Sequence, residues 1–193
     1  MDIQIAENRK WIEILVDGEK VKEGYKPLYK AHLKELKQAE DRKELKALCF
    51  KIEVKGARLL IYKWLAMRGY LQAELEEKLR RLNVDCEAIS LALEECASKG
   101  YLNDEKERER RIEAGKQRGI GPRMIARKLA DQTGPTVQEY SAQEEREKIK
   151  EWIEKKKRRA APFDLKAKMR LYRFLAGKGF DSNLIREELF VDA

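Results

Sequence analysis

The stretch LRRLNVDCEAISLAL at residues 79–93 decides the fold, because it has a counterpart in LAGKGFDSNLIREEL at residues 175–189. Both stretches place an apolar residue, a turn, a second apolar residue and an aspartate ahead of isoleucine and leucine at helical spacing. Aspartate is a preferred N-cap, so each stretch predicts the end of one helix and the start of the next. This self-similarity predicts three-helix units stacked in tandem as an elongated array.

On both sides of these stretches, the spacing of hydrophobic residues predicts a mainly α fold in four segments. Gly56 is expected to interrupt the helical pattern ahead of repeat 1, and Gly100 is expected to end that repeat in a left-handed turn. Repeat 2 is degenerate, because its third helix would have to fit between Pro135 and Gln143. The predicted segments are an N-terminal β-hairpin with a helical lead-in at residues 1–56, repeat 1 at 57–104, repeat 2 at 105–140 and repeat 3 at 141–193.

The only β structure is predicted at the N-terminus. Residues 11–16 partly alternate between apolar and polar side chains, and Asp17 and Gly18 follow as a pair that favours a tight hairpin turn with positive φ. Residues 19–23 can return as the second strand. A two-stranded ribbon is marginally stable by itself, so we expect it to pack on the helices that follow.

The chain is basic, and its excess of positive charge is uneven. It has 43 lysines and arginines against 35 acidic residues, which gives a net charge of +8. Residues 105–193 contain 23 basic and 16 acidic side chains, so they hold +7 of that charge. A polyanionic partner is therefore plausible on physical grounds, and we expect its binding surface in the C-terminal half.

Two groups of cations are candidates for that surface. The first lies within residues 107–128, which contain eight cations and only three anions. The alternative for this group is a solvated face balanced by Glu–Arg pairs along the helix. The second is the run KKKRR at residues 155–159, at the C-terminal end of a predicted helix, with Arg170 and Arg173 as neighbours across the turn. Positive charge at a helix C-terminus is stabilised by the helix dipole. This effect alone explains one or two of these five cations.

The sequence leaves open whether these cations meet DNA or protein, and the run at residues 155–159 also fits a nuclear-localisation pattern. Trp64 and Trp152 could stack on bases, but their apolar neighbours favour places in the core. The residues predicted to bind a partner or DNA are Arg110, Arg111, Lys116, Arg118, Arg123, Arg127, Lys155, Lys156, Lys157, Arg158, Arg159, Arg170 and Arg173.

Cysteine usage and hydropathy point to a cytoplasmic protein. Cys49, Cys86 and Cys96 lie in apolar helical patterns without C-x-x-C spacing, so they are expected to be buried free thiols in a reducing compartment. The densest apolar run, residues 59–67, is nine residues long and contains Lys63. It is too short and too polar to span a membrane, and no membrane partner is expected.

Nothing in the sequence indicates an enzyme. The lone His32 is expected on the surface, and one histidine cannot build a metal site or a catalytic triad. There is no P-loop, no Gly-rich dinucleotide turn and no G-x-S-x-G elbow. We therefore expect no catalytic residues, no metal and no cofactor.

Five short motifs in a fixed order carry a resemblance to a known family. They are GYLND at residues 100–104, GPR at 121–123, KKKRR at 155–159, RFLAGKGFD at 173–181 and IREEL at 185–189. Their order and spacing, together with the repeat, resemble the RecX family over roughly residues 57–190.

The resemblance implies a curved array of three-helix repeats that lies in the groove of a RecA filament on DNA. It implies a regulatory protein that restrains strand exchange, ATP hydrolysis and coprotease activity of the filament. Its partners would be the RecA-type recombinase filament and DNA, single- or double-stranded, contacted directly or through the filament, and we expect a monomer. The chain departs from the family pattern after residue 104, where Glu107, Arg108, Arg110 and Arg111 replace aromatic and small apolar residues.

A second hypothesis comes from the residues alone. The chain would then be a helical DNA- or RNA-binding protein with no recombinase partner, in which the helix predicted at residues 123–131 follows a turn and enters a groove. Inhibition of RecA at protein concentrations far below DNA saturation would separate the two hypotheses.

Overall fold

The computed structural model describes residues 1–133, 141–158 and 163–190. The chain divides into two compact units, which we call unit 1 (Met1–Glu107) and unit 2 (Arg108–Ala193). The fold is mainly helical with a small antiparallel sheet at the N-terminus, as predicted. The helix predicted between Pro135 and Gln143 falls largely outside the described residues, and the four segment boundaries stay a prediction.

The N-terminal sheet has three strands in the order β1 (Ile3–Glu7), β2 (Trp11–Val16) and β3 (Glu19–Tyr25). The predicted β2–β3 hairpin is confirmed, and both turn residues, Asp17 and Gly18, have positive φ. The expectation of a two-stranded ribbon is wrong, because β1 pairs with β2 along its whole length. Three strands solve the stability problem of an isolated ribbon.

A helical lead-in connects the sheet to the first long helix. It consists of α1 (Lys26–Tyr29), a 3-10 turn (Lys30–His32) and α2 (Leu33–Lys37). Ile12, Ile14 and Val16 from β2 are fully buried, and they belong to one apolar cluster with Tyr29 and Leu36. The sheet is therefore fixed to the helices by its inner face, because alternate residues of a strand point to one side.

Helix α3 (Arg42–Leu65) begins at Asp41, whose side chain accepts a hydrogen bond from the backbone N–H of Glu44. The expected interruption at Gly56 is wrong, since the helix continues through it. A Cβ atom at Gly56 would lie 2.7 Å from Cδ2 of Leu28. This glycine therefore allows α1 to approach closely, at the modest cost that glycine carries within a helix.

Helices α4 (Gln72–Arg80) and α5 (Cys86–Ser98) complete a three-helix core with the second half of α3. Asp85 caps α5 as predicted, by accepting hydrogen bonds from the N–H groups of Glu87 and Ala88. The expectation that all three cysteines are buried is wrong for Cys86, which is exposed. Cys86 is the first residue of α5, ahead of the apolar stripe that faces the core.

Helix α6 (Asp104–Gln117) follows, and unit 2 continues with α7 (Pro122–Thr133), α8 (Ala142–Lys157), α9 (Leu165–Gly177) and α10 (Ser182–Phe190). The last three helices bury one apolar cluster, whereas α7 contributes only Ile125 and Leu129 to a smaller one. No helix within the described ranges combines the length and hydropathy of a membrane span.

A buried glutamate makes the same contact in both well-formed repeats. Glu53 on α3 accepts a hydrogen bond from the N–H of Asp85, the N-cap of α5, at 3.0 Å. Glu145 on α8 accepts one from the N–H of Asp181, just ahead of α10, at 2.6 Å. A long helix is thus tied to the start of the last helix in both three-helix cores. Glu53 precedes residue 57, where repeat 1 is predicted to begin, so in unit 1 this contact involves the part of α3 ahead of that boundary.

Candidate polyanion-binding surface

A close backbone contact positions α7 in unit 2. The N–H of Gly121 donates to the carbonyl of Lys178 at 2.9 Å, and the N–H of Arg123 donates to the carbonyl of Gly179 at 3.1 Å. A Cβ atom at Gly121 would lie 2.4 Å from the backbone of Gly179, so neither glycine can be replaced without movement. The GPR and GKGF motifs are therefore two halves of one contact.

The first predicted group of cations is divided by this arrangement. The guanidinium of Arg123 forms an ion pair with Asp181, and Nζ of Lys116 lies 2.9 Å from a carboxylate oxygen of Glu144. The hydrogen bond from Lys116, with the capping bonds of Ser141, lowers the pKa of Glu144 to about 2. Both cations thus have structural partners. The side chains of Arg110, Arg118 and Arg127 are exposed, and that of Arg111 is half-buried.

The second group meets two aromatic rings. The rings of Trp152 and Phe174 lie edge to face with centroids 5.2 Å apart. Nζ of Lys155 lies 5.1 Å from the Trp152 ring, Nζ of Lys156 lies 5.0 Å from the Phe174 ring, and Nζ of Lys178 lies 4.9 and 5.3 Å from the two rings. These distances are within the range of cation–π attraction. We call these five residues the Trp152 cluster.

Helix packing holds the Trp152 cluster in shape. Trp152 lies on the last turns of α8, half-buried, and its indole N–H donates to the carbonyl of Gly119 at 3.3 Å. Phe174, on the last turn of α9, is 38% exposed. Trp152 is thus packed against the core as predicted, yet its ring also supports two lysines.

The three lysines of the Trp152 cluster differ from their neighbours because they lack acidic partners in the described ranges. No carboxylate of the described residues lies within 4.0 Å of Lys155, Lys156 or Lys178. Each of the other α8 lysines has one: Lys148 pairs with Glu151 at 2.9 Å, Lys150 with Glu188 at 3.7 Å and Lys157 with Glu154 at 3.4 Å.

An ammonium group held by a ring keeps its hydrogen-bond donors for a ligand. Such a group can donate to phosphate or carboxylate oxygens while the ring limits the side-chain entropy lost on binding. A cavity of about 170 Å³ lies beside the cluster, lined by Lys116, Arg118, Lys148 and others. Four of its eight lining residues are cations, and one is the acidic Glu151. Lys116 and Lys148 pair with glutamates, so Arg118 and Lys155 are the cations of this lining that can contact an anion.

The remaining predicted residues surround this region less closely. Lys157 and Arg158 are exposed at the end of α8, where Arg158 is the C-cap residue. Arg170 and Arg173 are exposed on α9. Arg159 lies outside the described residues. The described members of the second group thus lie at the end of α8 and along α9.

Comparison with known proteins gives concordant results. A family model described as RecX, third three-helix domain, matches residues 143–189. The regulatory protein RecX of Acidithiobacillus ferrooxidans is 30% identical over 130 residues, which cover 67% of this chain and 86% of that protein. The chain belongs to the RecX family. The regulatory protein RecX of Haemophilus ducreyi is 27% identical over 127 residues, covering 63% and 82%.

Solved RecX structures share the fold. A crystal structure of regulatory protein RecX aligns with a TM-score of 0.62 at 16% identity, covering 99% of this chain and 97% of that one. The crystal structure of RecX from Lactobacillus salivarius aligns with a TM-score of 0.60 at 19% identity, covering 72% and 97%. The family resemblance stated from the motifs is confirmed. The family shown by these matches is that of the RecX regulatory proteins.

The whole net charge of this RecX-family chain resides in unit 2. Residues 108–193 contain 22 basic and 14 acidic side chains, whereas residues 1–107 contain 21 of each. Unit 2 thus has a net charge of +8 and unit 1 is neutral. The Trp152 cluster lies in the only unit whose long-range field attracts a polyanion.

Two members of the Trp152 cluster were missed by sequence reasoning. Phe174 was one residue of an amphipathic helix, and Lys178 was read as part of a turn. The signal that would have found them is the pair GK at residues 177–178, which begins three residues after Phe174 near a helix end. The contacts of Phe174 and Lys178 with Trp152 depend on how α8 and α9 pack, and this packing cannot be inferred from neighbouring residues alone.

Proposed function

We propose that this RecX-family protein binds a RecA filament on DNA and inhibits the filament's ATP hydrolysis, strand exchange and coprotease activity. The observation that carries the proposal is the Trp152 cluster, whose three lysines have no acidic partner among the described residues. Membership in a family of proteins named regulatory protein RecX supports it. Of the tandem repeats predicted at residues 57–104, 105–140 and 141–193, the third would present this surface.

Binding would be distributed over many contacts, each of modest strength. An exposed ion pair contributes up to about 1 kcal/mol, so no single cation can hold a filament. The Trp152 cluster would provide the strongest group, because its cations are already ordered over rings. Exposed cations such as Arg127, Arg170 and Arg173 would add weaker contacts to phosphates or to acidic side chains of the filament.

The alternative is a helical DNA- or RNA-binding protein with no recombinase partner, reading a groove with α7. A recognition helix contacts base edges with residues near its N-terminus. Here the first turn of α7 is engaged elsewhere, since the N–H groups of Gly121 and Arg123 bond to the loop at residues 178–179 and Arg123 pairs with Asp181. This contact favours the filament proposal.

The two functions are separated by RecA-catalysed, single-stranded-DNA-dependent ATP hydrolysis measured against protein concentration. Filament binding predicts strong inhibition when the protein is far below the amount that coats the DNA. Inhibition that appears only when the DNA is coated would support the alternative and contradict the proposal. Fluorescence anisotropy of labelled DNA under the same conditions defines the coating range.

A matched pair of variants tests the Trp152 cluster itself. We expect K155Q/K156Q/K178Q to require about ten-fold more protein for half-inhibition, because loss of three modest contacts amounts to about 1.4 kcal/mol. The control K148Q/K150Q/K157Q removes the same charge from lysines that have acidic partners, and it should change half-inhibition less than two-fold. Equal effects of the two variants, with unchanged far-UV circular dichroism, would show that the cluster is misassigned.

A further inference from the structure

A second group of cations over aromatic rings lies in unit 1. Nζ of Lys78, on α4, lies 4.4 Å from the Trp64 ring and 5.1 Å from the Tyr70 ring. The guanidinium carbon of Arg68 lies 4.2 Å from the Tyr70 ring. We call these four residues the Trp64 cluster. It joins the end of α3 to α4 across the turn that contains Gly69.

The two cations of the Trp64 cluster also lack acidic partners within the described part of the chain. Among the described residues, no carboxylate lies within 4.0 Å of Arg68 or Lys78. The next cations along α4 are different, because Arg80 pairs with Glu76 at 2.5 Å and Arg81 with Glu77 at 2.9 Å. Arg80 and Arg81 are thus neutralised by neighbouring glutamates, whereas Arg68 and Lys78 are not.

The tyrosine reports the local field of this cluster. The neighbouring Arg68 guanidinium lowers the pKa of Tyr70, and the charge of Lys78 adds to this effect against the opposing influence of burial. The same field that stabilises a phenolate would stabilise a bound anion. Unit 1 is neutral as a whole, so this positive field is local rather than a share of a general excess.

We propose that the Trp64 cluster is a second anion-binding site, and that it binds the phosphodiester backbone of a nucleic acid strand. This goes beyond the proposed function, which rests on unit 2. Tyr70 is only 6% exposed and Trp64 is half-buried, so these rings hold the cations and cannot stack on bases. The ligand groups must therefore be the phosphates.

Nucleic acid fits this site better than an acidic peptide does. A strand offers one phosphate per nucleotide, so two fixed cations find partners in any register. An acidic peptide needs carboxylates at one matching spacing. The planar guanidinium of Arg68 has donors in its plane that match two oxygens of one phosphate, and Lys78 serves as a point charge for the next.

The first test compares two variants of the full chain in binding to a labelled single-stranded oligonucleotide. R68Q/K78Q should weaken binding about five-fold and reduce the slope of log K against log salt by about 1.4, at about 0.7 per lost phosphate contact. R80Q/R81Q removes the same charge from partnered arginines, and it should weaken binding less than two-fold. Equal affinities for R68Q/K78Q and the wild type would overturn the proposal.

The second test identifies the ligand class. An abasic deoxyribose-phosphate strand of equal length should show the same loss with R68Q/K78Q, since no base contact is involved. If the loss appears only with polyglutamate, the site binds acidic protein and the phosphate assignment is wrong. K78R should retain the wild-type affinity within two-fold, because arginine keeps both the charge and the ring contact.

Tryptophan emission locates the contact and controls for misfolding. W11F/W152F leaves Trp64 as the only tryptophan, and its emission should change saturably as the oligonucleotide binds. W64F/W152F leaves Trp11, whose emission should stay constant. A constant Trp64 signal at saturation would refute the site. Loss of binding in K155Q/K156Q/K178Q but not in R68Q/K78Q would refute it too, while leaving the proposed function intact.

Discussion

At the scale of single residues, two buried carboxylates perform the same structural task with different neighbours. Glu53 accepts hydrogen bonds from the Tyr29 hydroxyl at 2.5 Å and the Asp85 N–H at 3.0 Å, and Lys22 lies 2.8 Å away. Burial, with the charge of Glu53, raises the pKa of Tyr29 well above its ordinary value, so its hydroxyl stays a donor. Glu145 has the bond from Asp181, but no cation of the described residues lies within 4.0 Å of it.

The difference predicts an unusual pH response for Glu145. Burial raises its pKa above the ordinary 4.5, and the Asp181 carboxylate adds to this effect, while the hydrogen bond from the Asp181 N–H and the charge of Arg123 oppose it. A raised folded-state pKa means that protonation stabilises the fold, so this contribution is complete below pH 4.5 and is lost as the pH rises through the raised value. We expect E145Q, which keeps an acceptor for the Asp181 N–H, to have a Tm at pH 7 equal to the wild type or higher by up to about 4 °C.

The measurement is the Tm of the wild type, E145Q and E144Q between pH 3 and pH 7. The advantage of E145Q should shrink as the pH falls towards 4.5. The neighbouring Glu144 has the opposite sign, because its pKa is lowered to about 2, so the wild type should gain on E144Q as the pH rises from 3 to 5. A strongly destabilised E145Q at pH 7 would show that the buried charge is required.

At the scale of elements, glycine contacts decide how α7 joins unit 2. Helix α7 buries only Ile125 and Leu129, so its apolar contribution is small. The backbone bonds of Gly121 and Arg123 to the loop at residues 178–179 supply much of its attachment. These bonds require the two backbone segments to approach more closely than a Cβ atom on either glycine would permit.

Replacing each of two glycines by alanine distinguishes the cost of a steric clash from the gain that comes with reduced backbone flexibility. G121A places a methyl group 2.4 Å from backbone atoms, so we expect unit 2 to lose about 1–3 kcal/mol of unfolding free energy. G177A, at the last residue of α9, has nothing within 4 Å of the new methyl, so it should gain about 0.4–1 kcal/mol. Urea unfolding followed by Trp152 fluorescence measures both, and equal destabilisation would contradict the packing argument.

Most elements could be predicted from the sequence because their signals are local. The N-caps Asp85 and Asp181 and the turn at Asp17 and Gly18 depend on residues within four positions, and all three are confirmed. Strand β1 was missed because a five-residue segment with two isoleucines gains its pairing only from β2. The continuity of α3 was missed because Gly56 has a tertiary role, the contact with Leu28, that no local rule contains.

The candidate site was predicted less completely for the same reason. The sequence identified Lys155 and Lys156 as unbalanced charge, but their availability depends on which lysines reach a carboxylate. That outcome is set by side chains on other helices, such as Glu188 on α10 beside Lys150. The Trp64 cluster left no trace in the charge count, because unit 1 is neutral.

At the scale of the whole molecule, charge and apolar core are divided differently between the units. Unit 1 contains the sheet and two of the larger apolar clusters and has no net charge. Unit 2 has a net charge of +8 and smaller cores. Net charge of one sign destabilises a compact state through self-repulsion, so this excess is better explained by attraction of a polyanion than by stability.

The salt dependence of DNA affinity distinguishes two origins of that attraction, which are the total net charge and specific contacts. If only the total field matters, K155Q/K156Q/K178Q and K148Q/K150Q/K157Q, which both lower the net charge by three, will change DNA affinity equally. If specific contacts matter, the first variant should reduce the slope of log K against log salt by about 2, at about 0.7 per phosphate on a single strand. The second should leave the slope within about 0.5 of the wild type, because glutamates already neutralise those lysines. Titrations of a labelled oligonucleotide from 50 to 300 mM salt measure the slopes, and coincident slopes for the two variants would assign binding to net charge rather than to the ring-held lysines.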